Sequence, residues 1–351
     1  MALFLAPMEG VVDPELRSIY REIGGYDVFV TEFIRVTQTL LPRKVFERYA
    51  PELMLDEPIV IQILGSDLEM MSENAAKAVY WGARAIDINF GCPAKCVNNN
   101  DGGSVLLKDP NRIFEIVKSV RQKVPDFVPV SAKIRLGYDD KSLYLENSKA
   151  IQEAGAAWLT VHARTKTEGY RPPAYWNYIR DIRENLSGLP VVANGEIWNI
   201  EDAKSCFEQT GAGDFMVGRG AIRDPYLALK IRNSEWYQSM TPVHQMDQIL
   251  QQFKLLVKNR NHELILNEDN WFDLEKRIWK FYQLTVESAG TAKAIARLKQ
   301  WLRALGPAFP QAISLFEQIK TVRAQDLIED VEVSKSFRNL QSSPVRHFVA
   351  L

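Results

Sequence analysis

The chain has 351 residues, 46% of them hydrophobic, with 43 Lys and Arg against 44 Asp and Glu for a formal net charge of −1. That balance is ordinary for a globular protein and excludes disordered and fibrous classes. No apolar run reaches the roughly 20 residues that span a bilayer, the opening MALFLAPMEG lacks the basic start of a secretory signal, and Cys92, Cys96 and Cys206 are too few for a disulfide framework, so a cytoplasmic protein with no membrane contact is expected.

In chain order, β-rich apolar runs fall at Leu3–Ala6, Val28–Thr31, Ile59–Leu64, Ala85–Asn89, Val130–Ile134, Trp158–Val161, Val191–Ala193 and Phe215–Val217. Between them lie amphipathic stretches of helical length, among them Leu68–Tyr80, Asn111–Lys123, Tyr175–Asn185, Asn199–Glu208 and Pro225–Arg232. Alternation of this kind predicts a parallel sheet. Eight units in this length fit a closed (β/α)8 TIM barrel better than an open doubly wound sheet. After Arg232 the strand pattern stops and helices are expected at Met246–Asn259, Asp273–Glu287, Thr291–Leu305 and Gln311–Ala324. The expected organisation is therefore a barrel over 1–240, a smaller all-α domain over 241–325 and a polar tail over 326–351.

Active sites of such barrels lie at the C-terminal ends of the strands. Those ends carry Pro7-Met8-Glu9-Gly10, Thr31-Glu32, Gln62, Asn89 with Gly91-Cys92-Pro93, Lys133 with Arg135, His162 with Arg164, Asn194-Gly195-Glu196, and Gly218-Arg219-Gly220. So many polar ends imply a large polar ligand. Loops after the seventh and eighth strands commonly take phosphate. The small residues at Asn194-Gly195 and Gly218 let backbone amides approach an anion, and Arg219 adds a charged fork. His162 either helps hold that anion or serves as a structural hydrogen-bonding residue. Lys133, in an apolar strand, has three readings: a Schiff-base amine, a stabiliser of negative charge on a reduced flavin, or an interior ion pair.

Cys92 opens a long loop to Lys108 that is rich in Asn and Gly and could move as a lid. An ordinary thiol, with a pKa of about 8.5, is mostly protonated at neutral pH and suits a general acid. Cys92 and Cys96 lie four apart, but the third cysteine is distant and histidines number only four, so no metal site is expected.

Residues 1–240 carry 28 basic and 32 acidic side chains, and residues 241–351 carry 15 and 12. The basic excess concentrates in Lys276, Arg277, Lys280, Lys293, Arg297, Lys299 and Arg303, which suggests a local polyanion surface.

The motifs APMEGV, TEF with Arg35 three residues after its Glu, Gln62, DINFGCP, GGSVLLKDP, KIRLG, VHARTKTEGY, VVANGEI and VGRG together resemble the tRNA-dihydrouridine synthase family of flavoenzymes. The resemblance runs from residue 1 to about 325 and is closest to the bacterial C class, which modifies uridine 16 in the D-loop. It implies FMN over the barrel mouth, with Pro7, Met8 and Glu9 beneath it. Gln62, Lys133 and His162 would also contact the flavin, and Asn194, Gly195, Glu196, Gly218 and Arg219 would lie toward its phosphate. It further implies NADPH, with NADH as the alternative, as reductant, and Cys92 as the acid that protonates C5 of a flipped uracil. Asn89, Arg135 and Tyr170 would hold the uracil together with Lys133. Arg35, Arg297, Lys299 and Lys320 would orient the tRNA. No obligatory protein partner is implied. Positions 17 and 20 of tRNA are the alternative targets, and a Schiff-base aldolase built on Lys133 is the rival of another class. Cys96, the length of the 244–290 segment and the tail depart from the family pattern.

Overall fold

Short β-branched runs that are buried on both faces pair only with one another, and helices long enough to cover them follow each run, which forces parallel pairing. The computed structural model, which describes residues 1–186, 188–239, 244–256, 270–326 and 339, shows this arrangement. Nine strand segments form it: β1 (Leu3–Leu5), β2 (Val28–Phe29), β3 (Ile34–Arg35), β4 (Val60–Leu64), β5 (Ala85–Phe90), β6 (Val130–Arg135), β7 (Leu159–His162), β8 (Val191–Asn194) and β9 (Phe215–Val217). All pairs are parallel, in the order β2-β1-β9-β8-β7-β6-β5-β4-β3.

The two ends of that order, β2 and β3, are consecutive in the chain. A parallel bridge from Val30 to Val60 joins β2 to β4, so β2 and β3 fill one position and eight positions close a TIM barrel. Eight runs are thus observed as nine segments. The break falls where the Thr31 hydroxyl, instead of a backbone carbonyl, accepts the Gln62 amide at 3.0 Å.

Four of the helices around the barrel begin where an Asp or Asn side chain accepts a first-turn amide. Asp13 accepts from Leu16, Asp67 from Met70, Asp109 from Asn111 and Arg112, and Asn199 from Asp202. Leu68–Tyr80 and Thr291–Leu305 have the expected bounds. Helices also stand at Pro14–Ile23, Arg43–Tyr49 and Tyr144–Glu153.

The lower interior of the barrel is filled by Phe4, Val28, Val30, Val60, Trp158, Val192 and Met216, packed with Met246, Leu250 and Leu255. The helix His244–Gln252, grouped by sequence position with the helical region, therefore closes the barrel floor. The Met1 amino group lies 3.0 Å from Asp247 there. The helices Asn270–Ala289, Thr291–Leu305 and Pro310–Ile319 pack on one another, and the first packs on Pro14–Ile23. The expected tail lies outside the described residues apart from Asp326 and Asn339, as does 257–269. No described helix is long and apolar enough to cross a membrane.

Candidate active site

Side chains alternate along a strand, so the inward residues of each barrel strand stack toward its C-terminal mouth. There a cleft of about 470 Å³ is lined by Pro7, Met8, Glu9, Gln62, Asn89, Cys92, Lys133, Arg135, His162, Tyr170, Asn194, Gly195, Glu196, Gly218 and Arg219. Fifteen residues from the ends of seven strands thus meet around one cleft. Arg35, Arg297, Lys299 and Lys320 do not line it.

Beneath the cleft runs a continuous set of hydrogen bonds. Ser131 Oγ donates to Asp87 Oδ1 at 2.6 Å and Gln62 Nε2 donates to Asp87 Oδ2 at 2.7 Å. Asn89 Nδ2 donates to Gln62 Oε1 at 2.7 Å, and Asn89 Oδ1 accepts the amides of Gly91 at 2.8 Å and Cys92 at 2.9 Å.

Cys92 is 8% exposed, packed with Leu64 and Val97 and flanked by Phe33 and Ala94. Burial pushes its thiol pKa up, so it keeps its proton at neutral pH. Its loop is not loose. The Cys92 carbonyl accepts Ser104 N, Ser104 Oγ and Asn98 Nδ2, and Gly103, at φ +65, lies where a Cβ would come within 2.9 Å of that carbonyl.

Lys133 is held down to a pKa of about 8, chiefly by burial and then by the neighbouring Arg135 cation. His162 is buried, with its pKa driven well below the usual histidine range by burial and by Arg135, Lys133, Arg164 and Arg219, so it is a neutral imidazole. Arg135 spends its fork on backbone: Nε donates to Gly91 O at 2.8 Å, and Nη1 to Thr165 O at 3.1 Å and Gly169 O at 2.9 Å. It ties the loops after β5 and β7 together. Tyr170, 53% exposed, stands over the cleft with Arg135 at 5.2 Å and Arg219 at 4.9 Å from its ring centroid and His162 alongside at 5.9 Å.

At the far end, Asn194 Nδ2 donates to Met216 O at 2.7 Å. Gly195 has φ +120, a Cβ there would sit 3.0 Å from His162 Cδ2, and its carbonyl accepts Trp176 Nε1 at 3.1 Å. Only glycine suits that backbone. Glu196 Oε1 lies 2.8 Å from Arg164 Nη2 and 2.7 Å from Arg219 Nη2, so part of the Arg219 charge is already offset.

Outside the cleft, Arg297 is only 6% exposed. Its Nε donates to Asp13 Oδ2 at 2.7 Å and its Nη1 to Gly10 O at 3.0 Å, so it faces inward and offers no free fork to a phosphate. Arg297, expected at the tRNA, is thus engaged by the barrel, whereas Lys293, one turn before it, stays exposed. Lys299 Nζ donates to the carbonyls of Lys320 at 2.9 Å and Val322 at 2.7 Å, which ends the last helix and engages its ammonium. Arg277 and Lys280 pair with Glu22. Lys293 and Lys320 are exposed, as is Arg35, whose Nη2 lies 3.5 Å from Cys96 O beside the cleft rim.

Sequence reasoning missed Asp87, Ser131 and Trp198. Asp87 carried a signal, a carboxylate inside an apolar strand. Trp198, a cleft residue whose ring lies 4.9 Å from the Arg219 guanidinium, carried none.

A (β/α)8 barrel with a protonated thiol, a lysine and glycine-arginine loops gathered at its mouth has the form of an enzyme. The family model described as "Dihydrouridine synthase (Dus)" matches residues 4–275. The chain is 43% identical over 334 residues to the tRNA-dihydrouridine(16) synthase of Shewanella oneidensis, covering 93% of this chain and 96% of that protein. It is 40% identical over 336 residues to the protein of the same name from Neisseria meningitidis serogroup B, covering 94% and 93%, and 41% identical over 329 residues to that of Pseudomonas putida, covering 91% and 93%. The chain belongs to the dihydrouridine synthase family, enzymes of the flavin-dependent oxidoreductase kind.

Proposed function

We propose that this protein reduces uridine to 5,6-dihydrouridine at position 16 in the D-loop of tRNA, using FMN and NADPH, in the cytoplasm. The observation that carries the reading is the cleft itself: Cys92, Asn89, Lys133 and the loops after β8 and β9 open onto one space. The relatives' names, spread over more than nine-tenths of the chain, support position 16.

The donor set suits FMN. The glycine backbone at Gly195 and Gly218, with Arg219 beside it, suits a phosphate, and Lys133 and Gln62 suit the polar edge of an isoalloxazine. Bound FMN, reduced by NADPH, supplies the hydride that reaches C6 of the uracil.

The protein's own side chains do the rest. Cys92 holds a proton and gives it to C5, completing saturation of the ring. Asn89 has one amide hydrogen left for a uracil carbonyl once Gln62 takes the other. Lys133 supplies positive charge rather than a Schiff base. Tyr170 offers a flat ring at the mouth for a base turned out of its stack. The helical region from 270 to 320 provides the surface that tells tRNA from a free pyrimidine, through Lys320 and, from the barrel rim, Arg35.

The test is anaerobic: reduce the holoenzyme with NADPH, add tRNA lacking dihydrouridine, follow flavin absorbance and map the modified base. Reoxidation by tRNA but not by free uridine, with the product at position 16, is expected. Product at 17 or 20 would overturn the position, and equal reoxidation by free uridine would overturn the tRNA reading.

A further inference from the structure

Asp87 is fully enclosed below the cleft mouth, beneath residues that do chemistry, and does not line the cleft. A buried carboxylate is expensive unless its oxygens are satisfied, and one that persists fixes the direction of every hydrogen bond it accepts. Burial raises its pKa, while the Ser131 and Gln62 donors and the Lys133 charge favour the carboxylate, which can only accept. Ser131 Oγ and Gln62 Nε2 must therefore both donate to it. With its nitrogen turned down to Asp87, Gln62 turns its oxygen to Asn89, which must then donate. Asn89 in turn points its oxygen at the amides of Gly91 and Cys92. The chain is directional throughout: a Gln62 flip would set its oxygen against the Asp87 carboxylate and its nitrogen against the Asn89 amide nitrogen, and an Asn89 flip would set an amide nitrogen against two backbone N–H groups.

We propose that Asp87 is a positioning residue for the reaction: through Gln62 and Asn89 it fixes the backbone at Cys92, and it leaves Asn89 able to show the cleft only a donor. The consequence for substrate choice is chemical. A donor at that point accepts a carbonyl, as on uracil, and disfavours the exocyclic amine that cytosine carries in place of its O4 carbonyl. The inference rests on the tRNA-uridine reading for its catalytic part, whereas the anchoring of Cys92 stands on geometry alone.

The three cysteines make the test internal. Cys92 is buried in its loop, Cys96 is exposed and Cys206 is buried in a barrel helix, so alkylation by iodoacetamide, read cysteine by cysteine by peptide mass, reports local loosening, a reference rate and global opening in one protein. Asp87→Ala and Asp87→Leu, the latter close in shape but without an acceptor, should speed Cys92 alkylation by about tenfold while Cys96 and Cys206 keep their rates. The same variants should lower kcat for tRNA by about 10- to 100-fold with KM for tRNA unchanged, since the misplacement is at the reacting group. Asp87→Asn should restore both, because its oxygen still accepts from Gln62 and its nitrogen can donate to Ser131. Unchanged Cys92 alkylation and kcat in the folded Ala or Leu variant would overturn the proposal. So would Cys206 reacting in step with Cys92, which would make Asp87 a residue of fold stability only, or an Asn variant as impaired as Ala. If the wild-type enzyme proved inactive on tRNA, the function would fall while the alkylation comparison still decided the role of Asp87.

Discussion

Asp13 and Arg297, 284 positions apart, form a buried ion pair at 2.7 Å, and the same Asp13 carboxylate accepts the Leu16 amide at 3.0 Å to start the first barrel helix. A single carboxylate thus caps a helix of the barrel and anchors the helix Thr291–Leu305 to it. Removing one partner of such a pair leaves an uncompensated buried charge. Arg297→Ala should lower stability by about 3 to 5 kcal/mol in urea unfolding. Its tRNA affinity should fall without a change in salt slope, because no phosphate contact is lost; a shallower slope would return Arg297 to the RNA surface.

Arg35 and Lys320 are the exposed cations on which the tRNA reading now leans. The Lys320 pair with Glu317 is at the surface and contributes little. The double substitution Arg35→Ala with Lys320→Ala should reduce the slope of log affinity against log salt by up to about two. Titrations from low to moderate salt check this, and an unaltered slope would remove both from the interface.

Cys92→Ala should cut uridine reduction by about 10²- to 10⁴-fold while flavin binding and NADPH oxidation by oxygen persist, since only proton delivery is lost. An acid is active below its pKa, and burial raises that of Cys92. With flavin saturating, single-turnover rates should therefore hold through neutral pH and fall only above the ordinary thiol range. A fall beginning near pH 7 would contradict a buried thiol acid.

Lys133, with its pKa held down to about 8, loses its charge as pH rises through that value. FMN affinity of the apoprotein should then be full below pH 8 and fall by about tenfold per pH unit above it, the linkage expected for one required proton. Fluorescence titration of FMN from pH 7 to 9.5 reads the slope. Lys133→Met should bind weakly and show none.

Gly195→Ala forces a side chain onto a φ of +120 and against His162 at 3.0 Å. Strain of about 1 to 3 kcal/mol is expected. The loop should shift, and FMN affinity should drop by an order of magnitude or more, with the secondary structure unchanged by circular dichroism.

The barrel was legible because its signals are local. Val60–Leu64 and Val130–Arg135 read as buried strands from a few adjacent residues, and the strand-end rule then placed Cys92, Lys133 and Arg219 at one mouth. The basic run was legible as composition and only partly as surface: Lys276, Lys280, Lys293 and Arg303 are exposed, while Arg297 is buried. Lys280 and Arg297 pair with Glu22 and Asp13, acids of the first barrel helix and its cap that no sequence window places beside them, and Arg277 pairs with Asp273 on its own helix and with Glu22. The helix His244–Gln252 misled similarly: its apolar face fits another helix as well as it fits the barrel floor where Met246 and Leu250 lie.

The sequence by itself determined the alternation of strand and helix, the class of barrel and the chemistry at the strand ends, because periodicity and residue type act over a few neighbours. Tertiary structure alone decided which cations remain for RNA, how the bridge from Val30 to Val60 closes the barrel across two strand fragments, and how Asp87 reaches Cys92 through Gln62 and Asn89. Charge pairing and hydrogen-bond direction depend on distance and orientation between residues that only folding brings together.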